Sequence, residues 1–302
     1  MKVLIIGLGS IAKKHLFALR QIDSSVEIVA FRSSLDASIE DGVKNVYNWD
    51  DIKKELPDFI ILSNPTYLHA ETIGRIIDCG VPIFIEKPVF ASIGEEKEKL
   101  IQKITEQGII TYVACNLRFL HALQKIKEII KSERVNEVNV YCGSYLPDWR
   151  PNVDFRKVYS ANKEMGGGVH LDLIHELDYV YWIFGNPIET NAVLRNNSSL
   201  NIQACDYANY TWAYNDFCVS VILNYYRRTP KRSMEIVCDS GIYYVDLLKN
   251  NIVYNEHEIF SSDQQIKDTY KEQLAFFLDY ILKGKNVFNS IEEAYKILCL
   301  CY

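Results

Sequence analysis

The sequence predicts an α/β protein: a doubly wound parallel-sheet domain, then an α+β domain on a large, mostly antiparallel sheet with one open face. Three observations predict it. Short apolar runs alternate with helical patterns over the first 118 residues, as parallel strands and crossover helices do. A glycine turn, Gly7-Leu8-Gly9-Ser10-Ile11-Ala12, joins the first run to the first helical pattern. Past residue 187, extended segments alternate apolar and polar residues, the mark of a sheet solvated on one side. The expected boundary puts residues 1–118 in one domain and 119–302 in the next.

Val3–Ile6 is continuously apolar, as a strand buried on both faces is. Residues 11–22 repeat apolar positions at helical spacing, and Val26–Phe31 is a second strand. Asp50–Leu56 is helix-like before a third strand, Phe59–Ser63. "HAETIGRIIDCG" (69–80) is a helix that stops on Gly80, a natural C-terminal residue. A fourth strand, 81–85, a helix, 95–107, and a fifth strand, 109–114, complete the alternation. A helix over 120–132 leads to a strand in "EVNVYCGSYL", then to a loop over 147–157. "GGGVHLDLIHELDYVYWIFG" reads as one helix bounded by glycines. Extended segments follow at 188–195, 206–214, 217–226, 233–239, 242–247 and 252–254. A helix over 266–283 precedes a last one that Asn289 or Ser290 can cap.

Composition narrows the class. A net charge of −6 with no basic block gives nucleic acid or anionic membrane no electrostatic footing. No apolar run approaches the ~20 residues of a membrane helix. The eight cysteines include no C-x-x-C pair, so packed, reduced thiols in the cytoplasm are expected rather than a zinc site.

The glycine turn follows a strand and opens a helix, the context in which Gly7, Gly9, Ser10 and Ile11 cradle a dinucleotide pyrophosphate. An NAD site usually has an acid at the end of the second strand. Arg32 stands there, followed by Ser33 and Ser34, and suits a 2′-phosphate; NADP(H) is expected over NAD(H). Asn64, Thr66, His69, Glu86 and Lys87 fall at or just beyond strand ends, along one crevice. "FIEKPVF" (84–90) is the odd segment, an apolar strand that stops on an acid, a lysine and a proline. A solvated strand end is the plainest account of it. Asp172 and His175 lie three apart, which on a helix is one face, and a carboxylate that orients an imidazole is a common acid/base arrangement. Capping of a helix by Asp172 is the alternative. His170 and His175, five apart, do not share a helical face, so no metal site is expected.

These motifs together resemble the Gfo/Idh/MocA oxidoreductase family. The resemblance rests on the glycine turn, "NPTYLHAETI", "GVPIFIEKP", "GGGVHLDLIHELD" and the C-terminal "YKEQLAFFLDYILKGKNVFNSIEEAYKIL", and spans nearly the whole chain in order. It implies an N-terminal Rossmann domain, an NAD(P) cofactor, and a C-terminal domain whose sheet pairs subunits as a homodimer or homotetramer. It implies that Lys87 touches nicotinamide and substrate, and that Asp172 and His175 are the acid/base pair. That pair is usually four apart and here is three; Asp178 falls where a further aspartate is common. "NLRF" (116–119) matches a segment bordering the substrate, so Arg118 either contacts substrate or pairs with an acid. Trp149 and Arg150 either stack on a sugar ring and bind an anionic group or belong to a packed loop or subunit contact. The implied reaction is hydride transfer between nicotinamide and a CH–OH carbon of a sugar, sugar phosphate, nucleotide sugar or polyol. A glycosidase with transient cofactor reduction and a non-catalytic NADP-binding regulator are the alternatives.

Overall fold

The computed structural model describes residues 1–34, 39–284 and 288–302, so residues 285–287 of the C-terminal segment lie outside the described residues. Two compact units emerge, Met1–Cys115 with Tyr270–Leu298, and Asn116–Thr269 with Cys299–Tyr302. The chain changes unit at Asn116 and returns Tyr270–Leu298 to the first unit.

In the first unit six parallel strands form one sheet: β1 Lys2–Ile6, β2 Glu27–Phe31, β3 Val43–Val46, β4 Phe59–Leu62, β5 Ile83–Glu86 and β6 Thr111–Ala114. Their order is β3-β2-β1-β4-β5-β6. Helices α1 Ser10–Ile22, α2 Trp49–Glu55, α3 His69–Ile76 and α4 Glu95–Glu106 connect them. The continuous apolar runs are buried as expected: Val3, Leu4 and Ile5, all of β4, and Phe84 and Ile85 are wholly inaccessible. β3 was not legible in sequence. Its four residues bury only Val43 and Val46, because an edge strand is held mainly by its backbone ladder to β2.

The C-terminal segment returns because its apolar residues complete this core. The helix Thr269–Phe276, labelled α8, continues into a π-turned segment, Phe277–Ile281. Phe277 packs on Phe59, Phe84 and Tyr112 with ring centroids 5.1, 5.3 and 5.8 Å away. Ahead of the last helix, Asn289 bonds both ways with Val113, at 2.8 Å in each direction, covering the open edge of β6. Asn289 is therefore committed to the sheet edge, and Ser290 Oγ accepts the Glu293 amide at the start of α9, Ile291–Cys299.

The second unit begins with α5, His121–Ile129, and β7, Val135–Tyr145. The stretch expected as one helix is two, α6 Val169–Asp172 and α7 His175–Phe184, broken at Leu173 and Ile174. β8 Glu189–Arg195, β9 Tyr207–Ala213, β10 Cys218–Asn224, β11 Tyr226–Cys238, β12 Gly241–Asp246, β13 Asn251–Tyr254 and β14 His257–Ser261 follow. With β7 they form an eight-stranded sheet in the order β14-β13-β12-β11-β7-β10-β9-β8, in which only the β7–β10 pair is parallel. Val138, Val140, Val219, Val221, Met234 and Ile236 point into the core. Residues between them, such as Glu137, Asn139, Ser220 and Glu235, remain partly or fully accessible, which makes the open face. β14 is an almost wholly exposed edge strand without alternating burial, so no pattern announced it.

Candidate active site

Strand order in the first unit reverses between β1 and β4, and a ligand crevice opens beyond the carboxyl ends of strands at such a point. Gly7 follows β1 with φ +85°, and a Cβ there would sit 2.6 Å from the Asn64 Cα, so only glycine lets the two turns meet. Ser63 Oγ donates to the Gly7 carbonyl at 2.8 Å, and Asn64 Nδ2 donates to Thr72 Oγ1 at 2.8 Å, which fixes the second turn. Thr66, half-buried, opens a single 3-10 turn before α3.

Ahead of Gly9 the described residues leave open space, with no atom within 4 Å of a Cβ built there. The first turn of α1 carries no acid, and its Gly9 cap supplies no side-chain acceptor. Its amides and the positive end of the helix dipole therefore suit an anion. Gly7, Gly9, Ser10 and Ile11 thus fit a dinucleotide pyrophosphate. Arg32 is buried and donates from Nη1 to Asn45 Oδ1 of β3 at 3.2 Å; Ser33 and Ser34 are exposed.

The structure gives His69 a task other than contact with a cofactor. Its ring is inaccessible, with Nδ1 3.0 Å from the Val89 carbonyl and Nε2 3.0 Å from the Asn64 carbonyl. It ties the Asn64 turn to the segment after Pro88. Burial pushes its pKa down while the two carbonyls pull it up, and burial is the larger effect.

Glu86 is no solvated strand end. It is 7% exposed, and its Oε1 lies 2.5 Å from Nε2 of the wholly buried His15 on α1. Its Oε2 accepts the backbone amide of Lys87 at 3.2 Å. Lys87, half-buried, is the first residue past β5. Glu86 is therefore a support beneath Lys87.

In the second unit, Asp172 ends α6 and His175 starts α7. Their spacing of three crosses the break at Leu173, so a continuous helical face does not govern it. Asp172 does not act as a helix N-cap. Its two carboxylate oxygens accept the hydroxyls of Tyr159 and Tyr225, each at 2.5 Å. Burial, reinforced by the Asp172 charge, pushes both phenol pKa values up, so the hydroxyls stay protonated donors. His175 is buried, 8% exposed. Gly167 lets the Tyr159 segment come so close: a Cβ there would meet the Tyr159 carbonyl at 2.0 Å.

Trp149 and Arg150 connect to the same cluster. The Trp149 ring meets Tyr225 edge-on at 5.3 Å and its Nε1 donates to Ser144 Oγ at 2.9 Å, while the Arg150 guanidinium lies 5.6 Å from the Tyr159 ring centre. Of the two readings open for Arg118, the structure displays the ion pair. It is 1% exposed and forks onto Asp178 with Nε and Nη2 bonds of 2.9 and 2.8 Å, which also accounts for Asp178. Beneath His175, the inaccessible Glu176 faces Arg232 Nε of β11 at 2.8 Å.

His15, Tyr159, Tyr225 and the Glu176–Arg232 pair were missed in sequence. The only available signal was a polar residue inside an apolar pattern, and their partners lie 13 to 71 positions away along the chain. Among the described residues no three His, Cys, Asp or Glu side chains group as metal ligands, and no helix is long and apolar enough to cross a membrane.

The model of an oxidoreductase family with an NAD-binding Rossmann fold matches residues 1–115, and that of the GFO/IDH/MocA C-terminal domain matches residues 123–244. A 2,7-anhydro-N-acetylneuraminate hydratase of Mediterraneibacter gnavus is 27% identical over 158 residues, 51% of this chain and 39% of its own length. A scyllo-inositol 2-dehydrogenase (NADP(+)) of Bacillus subtilis is 28% identical over 158 residues, 52% of this chain and 43% of its own. The chain thus spans about two fifths of the length of these two curated relatives. The structure of a levoglucosan dehydrogenase in complex with NADH shares the fold, with a TM-score of 0.86 at 18% identity over 100% of this chain and 95% of that one.

Proposed function

The chain belongs to the Gfo/Idh/MocA oxidoreductase family, and on that premise we propose that it oxidises or reduces a CH–OH/carbonyl carbon of a sugar, sugar phosphate, nucleotide sugar or polyol with NAD(P). A nicotinamide bound in the crevice would take or supply the hydride. Lys87 orients and polarises the reacting oxygen with its ammonium, and His175 accepts the hydroxyl proton in oxidation and returns it in reduction. Asp172, held by two tyrosine hydroxyls, is offered as the carboxyl partner of the acid/base pair. Trp149 and Arg150 are offered as contacts to the sugar and to an anionic group on it. Arg118, spent on Asp178, serves as framework.

One observation carries this reading, and it lies within the first unit. A helix N-terminus with open space before Gly9, and a supported lysine past β5, stand on the same carboxyl edge of one sheet. NADP is proposed over NAD because Arg32 and two exposed serines follow β2 and no acid holds Arg32's place. A homodimer or homotetramer through the open sheet face is proposed, and sedimentation of the pure chain tests it. Eight cysteines with no C-x-x-C pair suit a reducing compartment, so the cytoplasm is the proposed location.

The deciding experiment is a panel of sugars, polyols and nucleotide sugars with NAD⁺ and NADP⁺, read at the absorbance of reduced nicotinamide. Turnover with net reduction supports the proposal. Absence of turnover on every class with either cofactor, in protein that binds dinucleotide, rejects it in favour of a binding protein. The hydratase among the relatives is the reason to test one second reading, cleavage of a sugar bond without net redox change. Product release at constant absorbance would establish that reading instead.

A further inference from the structure

We propose that His15 and Glu86 are positioning residues for Lys87, and that their buried hydrogen bond couples the dinucleotide-binding helix to the reactive amine. This rests on the reading of Lys87 as the residue that meets substrate. His15 stands on α1, which the glycine turn opens; Glu86 is the last residue of β5. The His15 ring is wholly buried, edge-on to Phe84 at 5.0 Å and to Tyr270 at 6.0 Å, so its plane is fixed on two sides. Nε2 meets Glu86 Oε1 at 2.5 Å. A carboxylate only accepts, so the Nε2–H form of the ring donates to it. The other oxygen, Oε2, takes the Lys87 amide at 3.2 Å. Glu86 thus spans helix and lysine: one oxygen reads the place of α1, the other sets the backbone from which the Lys87 side chain departs.

Stability alone gives a weak reason for this arrangement. Burying a carboxylate costs desolvation, and an apolar pair of similar volume often replaces a buried polar pair without loss. Placement explains it better. The pair lies under the one residue whose ammonium must meet a reacting oxygen, and a displacement near 1 Å at such a group costs ~10²-fold in rate. The segment "FIEKP" then reads as support and lysine in consecutive positions, Glu86 and Lys87.

The test uses the full chain with two His15 variants. His15→Leu removes the donor and keeps an apolar filling, whereas His15→Gln places an amide nitrogen near the position of Nε2. Three quantities are read: the rate at which an amine-specific acylating reagent labels Lys87 in protein without dinucleotide, relative to the other lysines, by peptide mass spectrometry; kcat and KM; and the Kd for NADP. Expected in His15→Leu are an altered Lys87 labelling rate and a kcat ~10–10²-fold lower at nearly unchanged NADP affinity, with both restored in His15→Gln. A folded His15→Leu protein that labels Lys87 and turns over as wild type overturns the proposal. So does a His15→Gln protein damaged as much as His15→Leu. Should His15→Leu not fold, Glu86→Gln is read in the same way and with the same criteria. Labelling does not depend on turnover, so a fully active Lys87→Ala, which would refute the catalytic reading, is distinguishable from failure of the link.

Discussion

Lys87 and Asp172 each owe their setting to residues far away in sequence. Lys87 rests on a carboxylate that His15 holds, and Asp172 on two tyrosine hydroxyls. Replacing Lys87 with Ala removes the proposed orienting ammonium. Its kcat should fall ~10²–10⁴-fold while fluorescence titration shows dinucleotide binding intact. Near-normal turnover would remove Lys87 from the mechanism. Tyr225→Phe takes one donor from a buried carboxylate, a loss of ~1.5–3 kcal/mol that denaturant unfolding should register. Tyr159 is 37% exposed as a residue whereas Tyr225 is wholly buried, so Tyr159→Phe should cost less. Equal losses would show that Tyr225 is not the main anchor. At this scale the motifs offered Lys87 and Asp172 as candidates but gave no sign of the residues they contact. A motif reports neighbours along the chain, and a hydrogen bond reports neighbours in space.

Helix α7 shows what an element adds. It begins with His175, and the next residue, Glu176, meets Arg232 of β11 inside the unit. Burial pushes the Glu176 carboxyl up while Arg232 pulls it down, and the burial effect is the larger. The pair therefore fixes the helix to the sheet only while both partners are present. Arg232→Met strands a buried acid and should cost ~3–5 kcal/mol, and the double variant Glu176→Leu/Arg232→Met should recover much of that loss. Strictly additive losses in a double-mutant cycle would show the two side chains to be uncoupled. The break between α6 and α7 escaped sequence reading because no proline or glycine marks Leu173 and Ile174. The edge strands β3 and β14 escaped because backbone pairing, which leaves no side-chain period, holds them.

For the whole molecule, stability at low pH follows from histidines buried neutral. Burial, opposed by Asp172, lowers the His170 pKa from about 6.5 to about 4, and His69 shifts the same way. Below pH 6.5 the unfolded chain takes up protons that the folded chain refuses. Stability should therefore hold above that pH and decline toward pH 4, at a limiting ~1.4 kcal/mol per unit for each such group. Denaturant midpoints across pH 4–7 should show a shallower slope for His170→Gln than for wild type, and parallel slopes would refute the assignment. The sequence by itself determined the parallel sheet and the open-faced second sheet, because each is a periodic pattern. Only the tertiary structure decided that Glu86 lies buried under Lys87, that Arg118 is taken by Asp178, that Asp172 answers to two tyrosines, and that residues 270–298 rejoin the first unit. Those outcomes turn on which side chains exclude water together, and sequence order does not encode that proximity.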